Sequence, residues 1–160
     1  MTPDEKAQLI LRALSGEHLH GFLPSEDHKA AISHAVGTHH EWAGGNQYGR
    51  VTKRGIETFD SLDAMFGGSP TLVIPWPEVL DIVARGCGDG RREAYEAAFA
   101  KWNKWAADEG YKITSAKRPS DEELEARYER WKAVTEPLHV TQAAIINAGC
   151  ERQTLQPELF

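Results

Sequence analysis

The side chains best suited to chemistry gather early in the chain, where "EHLHG" is followed by "SHAVGTHHEW". His18 and His20 stand two apart, so in an extended segment they point to the same side, as metal-binding pairs do. His34 and His39 lie roughly 140° apart around a helix and His34 and His40 roughly 240°. Neither pair shares a helical face, and Gly37 falls between them. A zinc hydrolase needs three or four converging ligands and commonly sets two histidines on one helical face beside a catalytic glutamate. No HExxH occurs in the chain. A metal-dependent hydrolase built on His18, His20, His34, His39 and His40 therefore stands as the alternative. The principal reading is a helix end running into a glycine-rich loop, "WAGGNQYGR", that feeds the first strand and suits contact with a partner.

Other enzymatic templates find less. There is no nucleophile elbow, no Walker motif and no glycine-rich turn from strand to helix. Cys87 and Cys150 have no metal-ligand spacing and read as free thiols of a reducing compartment. Neighbouring acids such as Asp89 with Glu93 are explained by helix starts. No catalytic residue and no cofactor is assigned.

A net charge of −6 over 160 residues and a pI near 5.6 argue against direct nucleic-acid binding, which favours a basic surface. No segment approaches the roughly 18 apolar residues of a membrane span. The acidic start "MTPDEKAQLI" lacks a signal-peptide pattern, so a soluble cytoplasmic protein is expected.

The elements that must position any site follow from pattern. Thr2, Pro3 and Glu5 form a helix start with a capping box, ahead of Leu9, Ile10, Ala13 and Leu14. "YGRVTKRGIETF" and "TLVIPW" read as strands, with a short helix from Ser61 through Phe66 between them. Pro77 opens a helix with Val79, Leu80, Ile82 and Val83 inward, stopped at Gly86. A long helix runs from Asp89 or Gly90 to about Glu109 with Tyr95, Phe99, Trp102 and Ala106 on one stripe. "SDEELEARYERWKAVTE" starts another with Ser120 and Glu123 as a capping box and Leu124, Tyr128 and Trp131 on one face. Aromatics at this spacing pack on a core or a partner. The expected fold is α+β and predominantly helical, with a small two- or three-stranded antiparallel sheet and a C-terminal helical hairpin. It forms a single domain, residues 1–87 mixed and 88–160 helical.

"TQAAIINAGCERQTLQ" has the order of a helix-turn-helix, with a turn at Ala148-Gly149 and Arg152, Gln153 and Thr154 presented to DNA. Against it, Ile145 stands where a small residue is usual, Pro157 truncates the second helix, and a final core helix with a tail is the simpler reading.

Residues 42–86 resemble a small module of phage and mobile-element proteins. The resemblance rests on "WAGGNQYG", "KRGIE" and "LVIPWPEVLDIVARG", with Gly44, Gly45, Lys53, Gly55, Ile56, Trp76, Glu78, Val79 and Ile82 at matching places. Arg54 interrupts the lysine–glycine pair and Pro75 replaces a small polar residue. The resemblance implies an accessory protein of such an element and brings no catalytic residue. The expected action is non-catalytic: binding and modulating, or inhibiting, a host protein or an anti-phage defence complex. Trp42, Trp105 and Tyr48 are the candidate contacts, Trp105 because it lies off the aromatic stripe at a position expected to be exposed. A homodimer is a further candidate partner, and no membrane is.

Overall fold

The computed structural model describes residues 1–14, 41–44, 47–109 and 119–155, with side chains at 1–14, 48–109 and 119–151. Helix α1 spans Pro3–Leu14. The expected capping box forms: Glu5 N–H donates to Thr2 Oγ1 at 3.1 Å and Thr2 N–H to Glu5 Oε2 at 2.8 Å. These bonds draw the Glu5 carboxyl below its ordinary range. Strands β1 (Glu41–Gly44), β2 (Gln47–Val51), β3 (Gly55–Phe59) and β4 (Leu72–Pro75) form an antiparallel sheet in the order β1-β2-β3-β4. The sheet agrees with the expected class, and β1 adds an edge where a loop was expected. The segment read as one strand over 48–59 folds as a hairpin. Val51 pairs with Ile56, and Thr52 and Gly55 exchange backbone hydrogen bonds of 2.8 and 3.2 Å around Lys53-Arg54. Gly55 is required there: its φ is +141°, and a Cβ would lie 2.0 Å from the Ile74 carbonyl oxygen.

Helix α2 (Leu62–Gly67) is capped by Ser61, whose Oγ accepts from Ala64 N–H at 3.1 Å. Strand β4 passes directly into α3 (Trp76–Gly86), which buries Trp76, Val79, Leu80, Ile82 and Val83 as its spacing predicts. Helix α4 covers Arg91–Glu109 and α5 covers Asp121–Leu155. At 1.5 Å per residue α5 is about 52 Å long.

One apolar cluster joins α1, the sheet, α3, α4 and the carboxy-terminal half of α5, through residues such as Ile10, Ile56, Ile74, Ile82, Tyr95, Leu138 and Ile145. Helix α5 is its axis, packed against α1, α3 and α4. Its approach to α3 is at backbone level. A Cβ on Gly86 would lie 1.8 Å from the Ile145 carbonyl oxygen, and one on Gly149 would lie 2.0 Å from that of Ile82. Gly149 therefore serves the packing of two helices and makes no turn. The alternative of a helix-turn-helix over 141–156 is overturned, and the simpler reading of a final core helix holds: α5 continues unbroken from Asp121 to Leu155. It also runs through Pro137, which sequence treats as a break. The missing N–H there leaves the Ala133 carbonyl without its intrahelical donor, while packing on both sides of the residue holds the helix together.

Candidate functional site

Two polar or apolar constellations stand out among the described residues, and only one faces solvent. The first surrounds Glu57, which is 1% exposed. Arg50 is its cross-strand partner and places Nε and Nη2 each 3.4 Å from Oε1. Thr52 Oγ1 donates to Oε2 at 2.9 Å, and Arg54 Nε does so at 3.1 Å. Arg50 also donates to the Met65 carbonyl at 3.3 Å and lies 5.0 Å above the Phe59 ring. The carboxylate accepts hydrogen bonds from three side chains, Arg50, Thr52 and Arg54. Its effect is to tie the β2–β3 hairpin to α2. Sequence reading missed it, since Arg50, Thr52, Arg54 and Glu57 converge only once residues 48–59 fold back on themselves.

The second constellation is the face of α5. Leu124, Tyr128, Trp131, Thr135, Leu138, Gln142, Ile145 and Gly149 follow one another at alternating steps of four and three, a heptad seam. From Thr135 onward the seam is buried: Thr135 and Gln142 are 4% exposed, Leu138 and Ile145 0%. Ahead of it the seam is open, with Leu124 43%, Tyr128 56% and Trp131 40% exposed. The Tyr128 and Trp131 rings stand 5.8 Å apart at 31°.

Helix α4 runs beside this segment. Its stripe begins in the core at Tyr95 and continues outward as a stack, Tyr95 to Phe99 at 5.9 Å and Phe99 to Trp102 at 6.2 Å. Burial pushes the Tyr95 hydroxyl up to about 12 despite its hydrogen bond with Gln142. At the far end Arg130 reaches Glu109 at 2.9 Å, joining the two helices. Between them lies an apolar groove of about 230 Å³, lined by Ala94, Ala98, Lys101, Ala133, Pro137 and Thr141 among others.

Of the contacts expected from sequence, Trp105 is half-buried rather than open, and its Nε1 is enclosed without a hydrogen-bond partner. Tyr48 is half-buried on β2, paired in register with Phe59. Trp42 lies on β1 opposite Gly49, with its side chain outside the described residues. His18, His20, His34, His39 and His40 all lie outside the described residues, as do the side chains of Arg152, Gln153 and Thr154 in the last turn of α5. Among the described residues no three His, Cys, Asp or Glu side chains gather as a metal set, and no helix is long and apolar enough to cross a membrane. Cys87 and Cys150 are not joined in a disulfide, and burial raises the pKa of both thiols.

The positions that carry the resemblance are mostly packing positions. Ile56, Trp76, Val79 and Ile82 are core, Trp76 Nε1 donates to the Thr52 carbonyl at 2.8 Å, and Glu78 accepts from Lys6 at 2.7 Å. Comparison with family models, with curated proteins and with solved structures finds no match to this chain.

The open seam carried a signal that sequence reading used only in part. Leu124, Tyr128 and Trp131 were placed on one face, but the same spacing continues through Pro137 to Gly149. Following it past the proline separates the half that the chain's own core fills from the half that it leaves open.

Proposed function

We propose that this chain is a non-catalytic accessory protein of a phage or mobile element, acting in the cytoplasm by binding and modulating a host protein or defence complex. The observation that carries the binding reading is the open half of the α5 seam: Leu124, Tyr128 and Trp131 continue a face that is elsewhere filled by helices. Aromatic side chains on a rigid helix supply large contact area at low cost in conformational entropy and are enriched where partners bind most tightly. The resemblance of residues 42–86 supports the origin. Mixed charges flank the stripe, Glu125 and Glu129 with Arg127 and Lys132, and such rims set specificity and association rate.

The test compares capture of proteins from nuclease-treated host lysate by the wild type and by the Tyr128→Ser/Trp131→Ser variant, each first shown to be folded by circular dichroism. A stoichiometric partner held by the wild type and lost by the variant is the expected result. A partner held equally by both would overturn the seam as the binding surface, and no partner for the wild type would overturn the proposed action.

A further inference from the structure

We draw no further inference here: the strongest candidate, the exposed stripe of Leu124, Tyr128 and Trp131 on the amino-terminal half of α5, belongs to the binding surface already described, its flanks carry charges of both signs, and nothing in the structure shows what covers it.

Discussion

The two halves of α5 obey one spacing rule and meet opposite ends. From Thr135 to Gly149 the seam is made of small, polar or aliphatic residues and is sealed inside the core, while from Leu124 to Trp131 it is made of a leucine and two aromatics and faces solvent. Periodicity states which face of a helix is to be covered. Residue size states how closely the cover approaches. Gly149 lets the backbone of α3 come into contact, whereas Tyr128 and Trp131 hold a neighbour a full ring away and provide the surface it would bind. Among the described residues, the chain's own helices complete the first half of the seam, and the second half stays exposed.

The sharpest way to break the comparison is to change one methyl group in each half. Gly149→Ala puts a Cβ 2.0 Å from the Ile82 carbonyl oxygen and 2.9 Å from its Cγ2, and neither helix backbone can retreat without opening the core. A loss of at least ~3 kcal/mol is expected, at the severe end for single substitutions, and Gly86→Ala should match it. In the open half Ala126→Gly, the reverse change at an exposed position, should cost about 1 kcal/mol from helix propensity alone. Urea unfolding of the three variants would decide it: equal losses in the two halves would contradict the close crossing.

Tyr95 reports on the buried half through pH. Its folded value of about 12 lies above the ordinary 10, so between these values the unfolded chain has released a proton that the native protein keeps. Stability is therefore present in full below pH 10, falls as pH rises toward 12, and levels off above it. The expected drop is about 3 kcal/mol. Tyr95→Phe should remove that part of the alkaline loss while leaving the open half unaffected, and an unchanged alkaline profile in the variant would show that the hydroxyl is solvated.

Much of this fold is legible in local sequence, because capping and amphipathic periodicity act over three to seven residues. Thr2 with Glu5, Ser61 with Ala64, and Ser120 with Glu123 each form their expected bond. Val79, Leu80, Ile82 and Val83 turn inward as their spacing requires. The misreadings share one cause, in that tertiary contact overrode a local signal. Gly149 reads as a turn in the helix-turn-helix alternative, yet it sits inside α5, where α3 comes into backbone contact. Lys53-Arg54 carries no strong turn residue, and the hairpin depends instead on Gly55 and on the charges around Glu57. Strand β1 was hidden by its glycines, although a Gly-Asn pair between two short polar–apolar runs is a hairpin signal in its own right. The open seam was visible as spacing, but its exposure was not, because only the assembled core shows which half remains uncovered.

Pro137 lies two residues past the first buried seam position and marks the boundary. Pro137→Ala restores an N–H for the Ala133 carbonyl and removes a side chain from the groove against α4. The gain in helix propensity exceeds the lost contact, and a stabilisation on the order of 1 kcal/mol is expected. A destabilised variant would show instead that the proline ring is a packing element of the groove.

The smallest effect on stability is also the most informative about function. Leu124, Tyr128 and Trp131 are each about half exposed, so the monomer gains little from them, and Trp131→Ser should change its stability by less than ~0.5 kcal/mol. Urea unfolding checks it, and a loss above ~1 kcal/mol would show that the ring is held by the chain's own packing. The corresponding substitution in the buried half, Leu138→Ala, should destabilise the fold by about 2–5 kcal/mol. One helix would then show two kinds of apolar seam, the first holding the fold together at any dilution and the second acting only when another surface is present to meet it.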